Sequence, residues 1–179
     1  KFWDMYYVRE IYRQRNGSNG MCGSQYGYFN YAKVPSPVIF RRHDNDFFAL
    51  CEAALYGDNE WYSGIDNLNG KGTAGIYVLA RRRCGKSQKL GYLSLNYASL
   101  NKYRNIALQS KDEKSGIKLL KEKVQDVYDL TPLPLKSDTQ SGRSQKIIRF
   151  GKKVKDDLGN VQLVGCLLYT SDAADEQDR

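Results

Sequence analysis

Ala74-Gly75-Ile76-Tyr77-Val78-Leu79-Ala80-Arg81-Arg82-Arg83-Cys84-Gly85-Lys86-Ser87 is the stretch on which the reading of this chain turns. An apolar run over 74–80 has the length and content of a buried strand. It stops abruptly at three arginines, and Gly-Lys-Ser then opens a segment, 87–100, with the pattern of a helix. Strand, basic turn, Gly-Lys-Ser and helix is the second half of the phosphate-loop pattern, x4-G-K-[ST]. Each residue type has a chemical reason there. Backbone N–H groups of the loop and the first helical turn form an anion nest. Gly85 lets the backbone approach a phosphate closely, Lys86 reaches the terminal phosphates, and the Ser87 hydroxyl is a ligand for Mg²⁺. Arg81, Arg82, Arg83 and Cys84 form the body of the loop, and an arginine there can stabilise charge developing on a γ-phosphate. One position departs from the pattern: Ala80 stands where the first glycine is usual.

Working outward, 105–110 reads as a second short strand and 112–128 as a helix with Ile117, Leu120, Val124, Val127 and Tyr128 on one face. Thr131-Pro132-Leu133-Pro134 ends that unit. Residues 145–152 and 160–164 read as a hairpin around Asp156-Asp157-Leu158-Gly159. Upstream, 2–15 has a helical face ending at Asn16-Gly17-Ser18-Asn19-Gly20, and 26–34 reads as extended. A helix through 47–55 is capped by Asp44 or Asp46. Residues 63–73 are loop-like. The central order of strand, loop, helix, strand, helix predicts an α/β fold with a parallel sheet flanked by helices. We expect 1–62 to be an aromatic-rich N-terminal segment of the domain, 63–165 its truncated core, and 166–179 a separate tail.

The chain of 179 residues, 41% apolar and 27% charged, is long enough for one domain with its own core. Its charge of +8 suits an anionic partner. The four Cys, at 22, 51, 84 and 166, lack CxxC spacing, and His43 is the only His. A zinc site or a Cys/His catalytic pair is therefore poorly supported. Asp44 and Asp46 suit helix capping better than a metal pair. The Tyr-rich start and Trp61-Tyr62 suit a core better than base stacking. No apolar run is long enough to span a bilayer and no targeting pattern is visible, so a membrane location and secretion are not expected.

The loop resembles that of the large terminase subunit of tailed phages, the ATPase that packages DNA into the capsid. Arg82-x-x-Gly85-Lys86-Ser87 is similar to that family's deviant phosphate loop, which often lacks the first glycine. Tyr28-Phe29-Asn30-Tyr31, the run Arg41-Arg42-His43-Asp44-Asn45-Asp46-Phe47-Phe48 and the segment Ile106-Ala107-Leu108-Gln109-Ser110-Lys111-Asp112 look like those of crAss-like phages, over about residues 26–165. The resemblance implies an additional-strand (ASCE-type) P-loop NTPase with ATP and Mg²⁺ as cofactors. Catalysis would fall to Arg82 and Lys86, nucleotide binding to residues 81–87, and metal binding to Ser87. The implied partners are double-stranded DNA, a portal protein, a small terminase subunit and further copies of the chain on the capsid, in the host cytoplasm. The family's Walker B acids should follow an apolar strand. Asp156-Asp157 follows Lys152-Lys153-Val154-Lys155 instead, so this chain should be an inactive fragment of the ATPase. Residues 166–176, Cys-Leu-Leu-Tyr-Thr-Ser-Asp-Ala-Ala-Asp-Glu, look like translated transposon-based sequencing adapter, and such a tail should pack against little. The alternatives are another P-loop NTPase, helicase-like or kinase-like, and a basic, non-catalytic nucleic-acid-binding module.

Overall fold

In the computed structural model the described residues are 2–32, 38, 41–56, 76–101, 105–136, 146–155 and 161–170. They divide into two compact units, Lys1–Lys86 and Ser87–Arg179. The expected boundary at 62/63 and Trp61-Tyr62 lie outside the described residues.

The first unit is helical. Helix α1 (Phe2–Asn16) ends where Gly17 turns to φ 89°. A two-residue turn then reverses the chain: Ser18 and Met21 exchange both backbone hydrogen bonds, with Asn19 and Gly20 at φ 55° and 72° between them. Asn-Gly tolerates the paired positive φ values such a tight reversal needs. Helix α2 (Gly23–Tyr31) follows, where the sequence predicts an extended segment over 26–34. Its first six residues, 23–28, are all buried, so tertiary packing overrides the weak helix propensity of Gly and Tyr. Helix α3 (Arg42–Tyr56) buries Phe48, Ala49, Cys51, Glu52 and Ala53, and the Phe48 ring packs on Tyr28 with centroids 5.0 Å apart.

Over 76–80 the expected strand does not form. Residues 74–75 lie outside the described set, and 76–80 are irregular and exposed, Tyr77 and Leu79 fully so. A strand exists only through its ladder, and among the described residues nothing pairs with 76–80.

The second unit begins within helix α4 (Lys86–Leu100), close to the expected 87–100. Residues 91–96 are buried without interruption, so more than one side of the helix is covered. Strand β1 (Asn105–Leu108) leads to helix α5 (Glu113–Leu120), whose N-terminus is capped by the Asp112 carboxylate accepting from the Ser115 N–H at 2.7 Å. One π turn, Lys121–Gln125, joins α5 to helix α6 (Asp126–Leu130). Leu120, Val124, Val127 and Tyr128 are buried, as the helical spacing predicts. The run ends at Thr131, whose N–H and hydroxyl both donate to the Val127 carbonyl before Pro132.

Strands β2 (Ile147–Lys155) and β3 (Val161–Thr170) form the expected hairpin, longer than the pattern suggests; its turn at 156–160 lies outside the described residues. Buried Ile148 and Phe150 flank exposed Arg149, the alternation of a one-sided strand. The sheet order is β1-β3-β2, with β3 antiparallel to β2 and parallel to β1. This corrects the predicted fold: helices dominate, and the sheet is small and mixed rather than a parallel sheet with helices on its faces. The centre of the sheet is also unexpected. Residues 166–170, read as part of a non-packing tail, supply every partner of β1, Asn105↔Leu167 through Leu108↔Thr170. Residues 171–179 lie outside the described set.

Candidate functional site

The basic loop keeps a defined shape without the strand before it. Arg82 and Arg83 form a turn, Cys84 a bend, and α4 starts at Lys86. Arg83 and Gly85 sit at φ 68° and 80°. Gly85 takes the left-handed region without a Cβ penalty, whereas Arg83 is one of two non-glycine residues with positive φ among those described. Alternation of left-handed and other conformations is the geometry of backbone anion nests.

Lys86 folds back across the loop. Its Nζ donates to the Ala80 carbonyl at 2.7 Å and to the Arg81 carbonyl at 3.1 Å. One ammonium thereby ties the loop's entrance to its exit, and the side chain stays exposed. Arg81, Arg82 and Arg83 are exposed as well. Among the described residues none of the three, nor Lys86, pairs with a carboxylate. Four like charges held together in water-facing positions repel one another and favour an anion between them. Ser87 is exposed on the first turn of α4. Cys84 is a half-buried free thiol.

Arg41 also belongs to this neighbourhood and carries no local sequence signal for it. Its Nη1 donates to the Arg83 carbonyl at 3.4 Å, and a Cβ built on Gly85 would lie 4.0 Å from the same atom.

The other sites weighed in the sequence resolve differently. Asp44 is buried in the first turn of α3 beside His43, 3.5 Å from its Nε2, and no group of three metal-ligating side chains occurs among the described residues. Tyr26 and Tyr28 are core residues. Two buried carboxylates escaped the sequence reading. Glu10 accepts from Tyr26 (2.8 Å), Tyr31 (2.7 Å) and Arg13 (2.5 Å). Burial raises its pKa, but these hydrogen bonds together with the Arg13 charge outweigh that and hold it below the ordinary value of 4.5. Glu52 accepts from the Ser24 N–H at 2.5 Å and from the Ser24 hydroxyl, which closes the N-terminus of α2. Burial pushes its pKa above 4.5 despite those donors, and burial and the Glu52 charge push the neighbouring Cys22 thiol up to about 12. The available signal was an acid set in an apolar helical run, Cys51-Glu52-Ala53-Ala54. Both carboxylates join helices within the first unit.

Among the described residues no helix is long and apolar enough to cross a membrane. No family model, curated protein or solved structure matches the chain.

Proposed function

We propose that residues 80–87 bind the phosphates of a nucleoside triphosphate, and that the chain is the ATP-binding part of a viral DNA-packaging motor of the large terminase type. The observation that carries the phosphate reading is Lys86 bent over the loop onto the Ala80 and Arg81 carbonyls. Those carbonyls hold the ammonium in place of a phosphate, so an incoming triphosphate needs only to take over a charge already pointed across the loop. Lys86 then binds the β- and γ-phosphates, Arg82 faces the γ-phosphate and Ser87 holds Mg²⁺. Arg81, Arg83, Cys84 and Gly85 supply backbone N–H groups and local positive potential.

The terminase identity rests on the sequence resemblance; the small mixed sheet lends it no support. In the complete motor, ATP hydrolysis would be coupled to translocation of duplex DNA into the capsid, with portal protein, small terminase subunit and further copies of the chain as partners in the host cytoplasm. Asp156-Asp157 follows Lys152-Lys153-Val154-Lys155 rather than an apolar run, so it is not proposed as the Walker B acid pair. The exposed cations favour a second reading, a basic nucleic-acid-binding module with no nucleotide chemistry.

Titration of the chain with a fluorescent ATP analogue and Mg²⁺ separates the two. Lys86→Ala should weaken binding at least ~10-fold, the loss expected for a hydrogen-bonded charge, with an unchanged melting curve. An intact chain that ignores the analogue yet binds duplex DNA with a steep salt dependence would replace the first reading by the second. Equal affinity of wild type and Lys86→Ala would remove the phosphate loop.

A further inference from the structure

We infer that Arg41 is a positioning residue of the phosphate loop, clasping the Arg83 carbonyl and fixing the direction in which the loop presents its N–H groups. The inference rests on the phosphate reading of residues 80–87.

Arg83 holds φ 68°, a left-handed conformation that is uncommon for a long side chain with a Cβ and that its surroundings can select. The Arg41 guanidinium supplies such a constraint by donating to the Arg83 carbonyl at 3.4 Å. A trans peptide points its N–H away from its C=O. Holding the Arg83 carbonyl therefore fixes the direction of the Cys84 N–H, one of the groups a bound phosphate would meet. The same Nη1 lies 4.0 Å from where a Gly85 Cβ would sit, so the guanidinium also lies over the next left-handed residue. Lys86 anchors the loop through the carbonyls of residues 80 and 81, and Arg41 anchors it through that of residue 83. Between them the two cations fix both halves.

Arg41 is itself well placed to act as an anchor. It immediately precedes α3, and its carbonyl accepts from the Asp44 N–H at 2.9 Å in the first helical turn. Asp44 is buried, and α3 is seated in its unit by Phe48, Ala49 and Ala53. The clasp thus ties a water-exposed loop to a packed helix. Among the described residues Arg41 has no carboxylate partner. An arginine suits the task better than a lysine: a planar fork with five donors holds one carbonyl and keeps donors for an anion.

The test has two arms. Without ligand, amide hydrogen exchange is compared in wild type, Arg41→Gln, Arg41→Lys and the adjacent control Arg42→Gln. Arg41→Gln should speed exchange at residues 83–87 by roughly tenfold, the scale of one hydrogen bond to a charged group. Arg41→Lys should be intermediate, and Arg42→Gln and the amides of α3 unchanged. In the second arm, binding of the fluorescent ATP analogue with Mg²⁺ should weaken roughly tenfold in Arg41→Gln on the same scale. Unchanged loop exchange in Arg41→Gln overturns the clasp, whatever happens to nucleotide binding. An equal loss in Arg42→Gln would trace the effect to net charge and overturn it too. Faster loop exchange in a chain whose wild type binds no analogue would instead remove the phosphate reading, and with it the role for Arg41 in binding, while leaving the contact itself established.

Discussion

Gly91 lies in α4 close against Lys123, and replacing it by alanine sets two effects of opposite sign against each other. A Cβ at this position would stand 2.7 Å from the Lys123 Cβ, 2.8 Å from its carbonyl oxygen and 3.1 Å from its carbonyl carbon. On an open helix face Gly→Ala would stabilise by about 1 kcal/mol, because alanine loses less backbone entropy. Here the atoms in the way belong to the main chain and to the root of a side chain within the π turn Lys121–Gln125, not to a mobile tip. Relief requires a shift of that turn or of α4, and overpacking of this kind costs ~1–3 kcal/mol. With three contacts this short we take the upper part of that range, which leaves a net loss of about 1–2 kcal/mol after the propensity gain. For a unit of this size that corresponds to a fall in Tm of roughly 5–15 °C. Thermal melts followed by far-UV circular dichroism measure it directly. A Tm equal to or above wild type would refute the reasoning, since it would mean that α4 and the π turn do not approach as closely as the structure has them.

The two buried carboxylates predict opposite pH dependences. Glu52 titrates above its ordinary value in the folded chain, so its contribution is full below about pH 4.5 and is lost as pH rises through the folded pKa. Glu52→Gln, which keeps an acceptor for Ser24, should therefore gain on wild type between pH 4.5 and 7 in paired melts, and a difference constant with pH would contradict this. Glu10 titrates below 4.5, so its contribution is full above that pH and fades as pH falls through the folded value. The deficit of Glu10→Gln should be largest at neutral pH and shrink in acid; a deficit that grows in acid would contradict it. Deleting 166–179 should strip β1 of all four of its partners and β2 of the partners of residues 147–150, around buried Leu108, Ile148 and Phe150. Hydrogen exchange at 105–108 and 147–150 should lose its protection, whereas full protection after deletion would show that the strand packs against nothing essential.

What the sequence determined by itself is local. The helices at 42–56, 86–100 and 113–130 overlap those that the spacing of residues three and four apart predicts over 47–55, 87–100 and 112–128, the first starting five residues earlier than predicted. The Asp112 cap, the stop at Thr131-Pro132 and the Asn19-Gly20 reversal are chemistry between near neighbours in the chain. The basic loop is legible for the same reason, since Lys86 reaches carbonyls only five and six residues away. Tertiary structure decided the rest. Apolar content marks 76–80 as able to form a strand, but a strand needs a ladder partner that composition cannot supply, and β1 finds its own more than sixty residues downstream, at 167–170. Residues 23–31 became a helix because Glu10 and Glu52, distant in sequence, take up the Tyr26 and Tyr31 hydroxyls and the N-terminus of the helix. Arg41 reached the loop across 42 residues. Hydrogen bonds within one turn are fixed by chain geometry, whereas those between remote segments depend on which segments the packed core brings together.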